Sequence, residues 1–430
     1  MVKQHISEKS KGNAYEFIEN SNSSSWKSYK IGDIGIFYSG LTGKSKNDFG
    51  TGSAKYITFL NVLCNPVIDI KILESVRVLE NETQNLVAKG DLFFNTSSET
   101  PEEVGMCSTL TEDLENTYLN SFCFGFRITD PEIYPLYLSY YFNSQEGRKI
   151  MRVLAQGATR YNLSKSYFSN TEIVIPQKSE QIAIATALSD IDNLIANLEK
   201  LIAKKKAIKQ GAMQELLTGK RRLNGFNSKW GTVSIGSMTD VYTGGTPSTV
   251  NEAYWGGNIP WMNSGELNKK IVRDVQGRIT PDGLEGSSTR LIPANCVLIG
   301  LAGQGKTRGT AAYNTISLCT NQSIAAILPN LEKFDSKFLY YCMDMQYKEL
   351  RELSAGGGGR GGLTKKLIED FLVMIPLDIT EQAVIGNILS DMDSEIEELE
   401  NKLEKYKALK AGMMSELLTG RIRLVDKEEA

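Results

Sequence analysis

Apolar residues recur along two stretches of the chain with a spacing of four, three, four, three. In the later stretch they fall at Ile385, Leu389, Met392, Ile396, Leu399, Leu403 and Tyr406. The pattern then skips one position, held by Lys410, and resumes at Met413 and Leu417. The earlier stretch keeps the same register with Ile184, Leu188, Ile191, Ile195, Leu198, Ile202 and Leu216, and Lys209 sits where Lys410 sits. A sustained seam of this period predicts a long helix with a narrow apolar stripe. The Leu-Thr-Gly triplets ending at Gly219 and Gly420 supply a helix stop. Each rod would run to about 55–60 Å at 1.5 Å per residue. So narrow a stripe needs a partner helix, and the other rod of the same chain is the obvious one. Periodicity leaves the direction of pairing open.

The two rods are near copies. Residues 180–223 read EQIAIATALSDIDNLIANLEKLIAKKKAIKQGAMQELLTGKRRL, and residues 381–424 read EQAVIGNILSDMDSEIEELENKLEKYKALKAGMMSELLTGRIRL. They align without a gap, with 23 identities in 44 positions. The likeness continues upstream more faintly: IVIP at 173–176 against VMIP at 373–376, and QGATRYNLSK at 156–165 against GGGGRGGLTK at 356–365. A W-x-x-x-x-I-G pattern opens each half, at Trp26 and Trp230. The chain is therefore written twice.

Between the anchors the halves differ, and the pattern there is mixed. CVLIG (296–300), ISLCTNQSIAAIL (316–328), YITFLNV (56–62) and DLFFN (91–95) read as strands. PLYLSYYFNSQEGRKIMRVLA and KFLYYCMDMQYKELREL read as helices. The predicted class is α+β, with two globular mixed α/β heads alternating with two long helices. The boundaries are an arm at 1–25, head 1 at 26–177, rod 1 at 178–222, head 2 at 223–377, rod 2 at 378–424 and a tail at 425–430.

Composition narrows the function. The only histidine, His5, lies in an arm of low hydrophobicity, which removes most zinc sites and nearly all histidine-based nucleophilic catalysis. The six cysteines form no C-x-x-C pair and read as buried, reduced thiols of a cytoplasmic protein. No apolar run is long enough to span a membrane, and the N-terminus lacks the apolar core of a signal peptide. The formal net charge of −3 is that of an ordinary soluble protein, and less basic than a lone DNA-binding protein usually is.

One stretch argues for an enzyme. GLAGQGKT, residues 300–307, fits the phosphate-cradle pattern G-x-x-x-x-G-K-[ST] at every fixed position. A cradle works because its loop opens a helix whose N-terminus holds the phosphates. Here RGTAAYNTISLC follows, with no amphipathic helix and no magnesium-binding aspartate on a following strand. The better expectation is a glycine-rich turn between two strands, exposing Gln304, Lys306, Thr307 and Arg308 to phosphates and base edges.

Two diverged heads on two near-identical rods resemble the specificity subunit of type I restriction-modification systems. The features that carry the resemblance are the rod endings ELLTGKRRL and ELLTGRIRL, the stretch TGGTPSTVNEAYWGGNIPWMNSGEL at 243–267, and LAGQGKTRGT with TNQSIAAI. Head 1 is the looser match, with SGLTGKSKND and NTSSETPEEVG at the corresponding places. The resemblance implies that each head is a target recognition domain docking in the major groove of double-stranded DNA. It implies rods paired as an antiparallel coiled coil with pseudo-two-fold symmetry, which set the spacer of a bipartite target, and an arm lying beside rod 2. It also implies two modification subunits as partners, with restriction subunits joining them. The chain itself would be non-catalytic and free of cofactor or metal. S-adenosylmethionine, ATP and magnesium would be bound by the partners, which carry adenine N6 methylation and ATP-dependent cleavage.

The candidate DNA contacts in head 2 are Thr246, Ser248, Asn263, Gln304, Lys306, Thr307 and Arg308. Those in head 1 are Lys44, Ser45, Lys46, Asn47, Thr96 and Ser97. Arg160 with Lys165, and Arg360 with Lys365, hold equivalent places in G-x-x-R-x-x-L-[ST]-K and point to phosphate contact or packing. Lys204, Lys205, Lys206 and Lys209 would face the acidic stretch 391–404 of rod 2 if the rods lie favourably. Two rival classes stay open at this point: a nucleotide hydrolase acting through GLAGQGKT, and a coiled-coil scaffold that binds proteins rather than DNA.

Overall fold

The computed structural model describes residues 15–19, 26–157, 159–303, 307–354 and 362–426. The two seams become two 39-residue helices, rod 1 at Lys178–Leu216 and rod 2 at Ile379–Leu417. Both stop earlier than the boundaries at 222 and 424. The stop is the expected glycine: Gly219 has φ 68° and Gly420 φ 72°, the left-handed conformation that side chains disfavour. Space enforces the choice. A Cβ on Gly219 would stand 3.2 Å from Trp230, and one on Gly420 would stand 2.9 Å from Trp26. These are the tryptophans that open the two halves.

The compact units are not the sequence halves. Residues 1–198 with 403–430 form one unit, and residues 199–402 form the other. Each unit holds a head, the start of the rod that follows it, and the end of the other rod. Ion pairs inside each unit fix the direction. In unit 2, Lys205 meets Glu395 at 2.5 Å, Lys206 meets Glu400 at 2.6 Å, and Lys209 meets Asp393 at 2.5 Å. Farther along rod 1, Arg222, just past its end, reaches Glu381 at the start of rod 2. Numbers rise along one rod as they fall along the other, so the rods run antiparallel. In unit 1, Lys410 meets Asp192 at 2.5 Å, the same pairing 201 residues on.

The seam also feeds the head cores. Ile184 and Leu188 are fully buried in the core of unit 1 with Leu417 and Leu424, among Tyr137, Phe142 and Ile175. Ile385 and Leu389 are buried in unit 2 with Leu216, Phe338 and Leu339. The first turns of each rod are thus head core, and so are the last turns, through Leu216 in unit 2 and Leu417 in unit 1. The lysines that interrupt the stripe are held by head and rod together. Lys209 and the Tyr341 hydroxyl both bind Asp393, at 2.5 and 2.7 Å, and Lys410 and the Tyr140 hydroxyl both bind Asp192, at 2.5 and 2.9 Å.

The two heads share one topology despite their diverged sequences. In head 1 an antiparallel sheet runs Gly35–Ser39, Cys123–Ile128, Leu92–Asn95, Cys107–Thr109. In head 2 the order Val241–Thr243, Ile324–Ile327, Val297–Gly300, Ala311–Asn314 repeats it, with Ile271–Val272 added at the edge. A second sheet follows in each: Glu74–Val76, Phe49–Ile57, Thr117–Leu119 in head 1, and Gly277–Ile279, Trp255–Met262, Cys319–Thr320 in head 2. The middle strands are continuous apolar runs because both faces are covered. Val297 and Ile299 feed the core shared with the rods, while Leu298 feeds a second core with Met262 and Leu318. Leu92 and Phe94 point one way and Phe93 the other.

Some local expectations change. YITFLNV is a strand only to Ile57, after which Thr58 caps a helix at Phe59–Cys64 by accepting from the Asn61 N–H. ISLCTNQSIAAIL is two strands separated by Asn321–Ser323. The stretch AAYN is a strand, Ala311–Asn314. Cys64 is exposed, whereas the other five cysteines are buried as free thiols. The arm's segment Tyr15–Glu19 pairs as a strand with Ile422–Asp426, beyond the end of rod 2 rather than against the helix.

Candidate nucleic-acid interface

Strands that end together bring their loops together. In head 2 the loop after Val241–Thr243 is tied to the turn 321–323: the Gly244 N–H donates to Ile324 O at 3.3 Å and the Gly245 N–H to Thr320 O at 2.8 Å. The loop after Val297–Gly300 is tied to the same turn through the Leu301 N–H, which donates to Ser323 O at 2.8 Å, and the Leu363 N–H in turn donates to Leu301 O at 2.9 Å. Head 1 repeats every tie. Gly40 donates to Cys123 O at 3.3 Å, Leu41 to Leu119 O at 2.8 Å, Thr96 to Phe122 O at 2.9 Å, and Leu163 to Thr96 O at 2.9 Å. The scaffold of four loops is common to both heads. It confirms the match of Leu163 with Leu363, and it places Thr42 where Thr246 stands and Asn120 where Asn321 stands.

The tryptophans of the WGGNIPW stretch shape the first loop of head 2. The Trp261 indole N–H donates to Gly245 O at 3.0 Å, and that of Trp255 donates to Ser248 O at 3.1 Å. Their rings meet edge to face at 5.0 Å. Thr246 and Ser248 are exposed on this fixed loop, and Thr246 Oγ1 donates to Gln322 Oε1 at 2.6 Å. Asn263 is exposed one residue beyond Met262, whose carbonyl accepts from the Asn321 N–H at 3.0 Å. Thr246, Asn263 and Gln322 are thereby gathered on the same loop cluster. Gln322 was not among the residues singled out from sequence, and the polar break Asn-Gln-Ser inside an otherwise apolar run was the available signal.

GLAGQGKT connects Val297–Gly300 to Ala311–Asn314, two antiparallel neighbours that pair Leu298 with Ala312. No helix opens between Thr307 and that strand, so the geometry a phosphate cradle needs is missing there. Thr307 and Arg308 are half-buried on this connection. Gln304 and Lys306, and Arg360 of the glycine-rich turn, lie outside the described residues. Lys365 is exposed and pairs with Glu369 at 3.4 Å.

Head 1 departs from expectation at two positions. Lys44 is turned inward, its side chain only 3% exposed; its ammonium donates to Arg77 O at 2.6 Å and pairs with Glu82. Hydrogen bonding to Lys44 in turn pulls the Glu82 pKa down. Ser97 is buried in a short strand opposite Asn162. Neither side chain is presented to a ligand, because each is consumed by the fold. Ser45 caps the following turn, its Oγ donating to Asp48 Oδ2 at 2.7 Å. Lys46, Asn47 and Arg160 are exposed, and Thr96 is half-buried. Lys165 lies half-buried with its ammonium 5.3 Å from the Phe124 ring centre, and desolvation lowers its pKa.

The buried thiols are driven away from the thiolate: burial raises the pKa of Cys107, Cys319 and Cys342, and pushes Cys296 up to about 12. Among the described residues there is no group of three or more His, Cys, Asp or Glu side chains placed to hold a metal, and no helix long and apolar enough to cross a membrane.

Comparison with known proteins places this arrangement. A sequence-family profile described as type I restriction modification DNA specificity domain matches twice, over residues 23–210 and 227–406. The chain is 25% identical over 418 residues to the putative type I restriction enzyme MjaX specificity subunit of Methanocaldococcus jannaschii, covering 93% of this chain and 94% of that one. It is 28% identical over 169 residues to the EcoR124I/EcoR124II specificity subunit of Escherichia coli, covering 39% and 41%. The fold is similar to the crystal structure of a type I restriction-modification system S subunit from M. genitalium, with a TM-score of 0.61, 17% identity, and coverage of 93% and 97%.

Proposed function

The chain belongs to the type I restriction-modification DNA specificity family, and from that premise we propose how its own residues do the reading. Each head presents its four-loop cluster to the major groove of double-stranded DNA and reads one half of a bipartite target. The antiparallel rods set the length of the unread spacer, and the two repeated halves dock two modification subunits. Those partners bind S-adenosylmethionine and methylate adenine N6. Restriction subunits with ATP and magnesium add translocation and cleavage. This chain contributes recognition and geometry, and no reacting group.

One observation carries the reading. The two heads keep the same backbone ties between loops and change the side chains those loops display. A fixed scaffold with variable tips is what two different base sequences require, since phosphate contacts position a protein and base-edge contacts specify the sequence. The interior position of Lys44 and Ser97 leaves Lys46, Asn47 and Arg160 as the head 1 residues for contact, and Thr246, Ser248 and Asn263 serve in head 2.

The test is single-molecule sequencing of adenine methylation in a methylation-free host that expresses this chain with its neighbouring modification subunit. The expected result is one bipartite motif methylated on both strands. Replacing residues 230–377 with the corresponding head of a relative should change one half of it. No methylation from well-expressed, co-purifying subunits would refute the proposal in favour of a protein-binding scaffold.

A further inference from the structure

The turn that carries Gln322 is held from several sides. The Asn321 N–H is tied to Met262 O, the Asn321 side chain accepts from the Ser323 N–H at 3.2 Å, and Ser323 O accepts from Leu301. Gln322 is the exposed residue at its tip. Thr246, on a loop pinned by Trp255 and Trp261, donates its hydroxyl to Gln322 Oε1 at 2.6 Å.

We propose that Gln322 reads an adenine in the half-site of head 2, with Thr246 as its positioning residue. The inference rests on the DNA-reading role proposed above and adds a base and a contact to it. The major-groove edge of adenine offers an acceptor at N7 and a donor at N6, which a glutamine amide matches with Nε2–H and Oε1. A carbonyl oxygen has two lone pairs. Thr246 occupies one and leaves the other for N6–H. In this geometry the hydroxyl holds the oxygen end, so Nε2 is the end turned out to donate. The two-point contact is then set before DNA arrives, and little ordering remains to be done on binding. Guanine presents acceptors at both N7 and O6, so its O6 would face Oε1 without a proton between them.

Head 1 shows the contrasting use of the same pair of residue types. Thr42 stands where Thr246 stands, and its partner is also a glutamine, Gln84. That amide is spent on structure: Oε1 accepts from the Thr42 N–H at 3.0 Å, and Nε2 donates to Thr42 O at 2.9 Å. Ser121 occupies the turn position of Gln322. The amide contact therefore belongs to head 2 alone.

The experiment compares the methylated motifs of wild type, Gln322→Ala, Gln322→Glu and Thr246→Val in the same host, with the head swap identifying which half belongs to head 2. Purified complexes are then competed with duplexes carrying each base pair at the implicated position. Wild type should show a fixed adenine there and prefer it by roughly ten- to a hundredfold, the discrimination of one good bidentate pair. Gln322→Ala should accept every base at that position and leave the rest of both halves intact. Gln322→Glu should turn the preference toward cytosine, whose N4 amino group a carboxylate accepts. Thr246→Val should keep adenine with a weaker preference, restored by Thr246→Ser. If Gln322→Ala fails to co-purify, Gln322→Asn is judged by the same criterion. An unchanged motif in these variants, or relaxation spread over several positions or into the other half, overturns the inference while the DNA reading stands. A wild-type complex that assembles and methylates nothing sinks both, and is seen before any variant is made.

Discussion

Arg423→Ala should open unit 1 and leave unit 2 alone. The Arg423 guanidinium donates through Nε and Nη2 to the two oxygens of Glu180 at 2.6 Å each, and the Leu424 N–H adds a third donor at 3.3 Å. The Glu180 side chain is 1% exposed and that of Arg423 10%. Removing the arginine strands a buried carboxylate, which costs about 3–5 kcal/mol. At about 1.4 kcal/mol per factor of ten, that is roughly a 150- to 4,000-fold rise in local opening. Amide hydrogen exchange read by mass spectrometry resolves the two units: residues 172–198 and 403–424 should exchange faster by that factor, and residues 230–300 should not change. The equivalent variant Arg222→Ala, which breaks two 2.7 Å contacts to the fully buried Glu381, should do the reverse. Replacing both partners with apolar residues, Glu180→Leu with Arg423→Met, should recover most of the loss, because no charge is then left in the core. Hydrogen bonding to Glu180 raises the Arg423 pKa above the ordinary arginine value. A raised cationic group contributes in full below its unfolded value and loses that contribution only above it, so the arginine's share should be equal at pH 6 and pH 9. Exchange within about fivefold of wild type, near 1 kcal/mol, or a double variant as open as the single, would refute the reasoning.

Gly420→Ala places a Cβ 2.9 Å from Trp26 at φ 72°, and should lower the stability of unit 1 by more than about 1 kcal/mol, measured by the same exchange experiment. A thiol reagent applied to the native chain should label Cys64 quickly and the five buried cysteines only after unfolding, which peptide mapping would check. Burial raises the phenols of Tyr56, Tyr141 and Tyr313 to about 12. Their contribution to stability is therefore full below pH 10 and is lost between about pH 10 and 12, so tyrosinate absorbance should rise cooperatively with unfolding in that window instead of titrating at pH 10.

The sequence made the rods and their repetition legible because a seven-residue apolar period and a 201-residue offset are local and arithmetical signals. It also showed that Lys209 and Lys410 interrupt the stripe. It could not show that each meets an aspartate of the opposite rod and a tyrosine of a head, since those partners lie far away in the chain. Arg423 was visible only as part of a recurring ELLTGRIRL ending, and its partner Glu180 is 243 residues away. Lys44 looked like a surface lysine in a polar loop, and its burial depends on Arg77 and Glu82, which that loop does not contain. YITFLNV misled because an apolar, β-branched run of seven residues hides a threonine cap. The loop cluster of each head was legible only in pieces: Thr246 and Asn263 from a resemblance, and Gln322 only as part of a polar break, until the turn brought it beside Thr246.

Unit 1 takes its last pieces from residues 403–424, and this sets the order of events on the ribosome. Head 1 is made first, yet its core lacks Leu417, Leu418 and Leu424, and Glu180 lacks Arg423 243 residues on, until rod 2 and its ending have been added. At about 5–20 residues per second that is a wait of about 12–50 seconds. Unit 2, continuous from 199 to 402, has all its parts before the earlier-born head has its own. A chain cut short after head 2 would carry an open apolar face and a stranded carboxylate on head 1. An exposed apolar face marks a chain for chaperones and proteases, so a chain cut there should be cleared faster than the full chain.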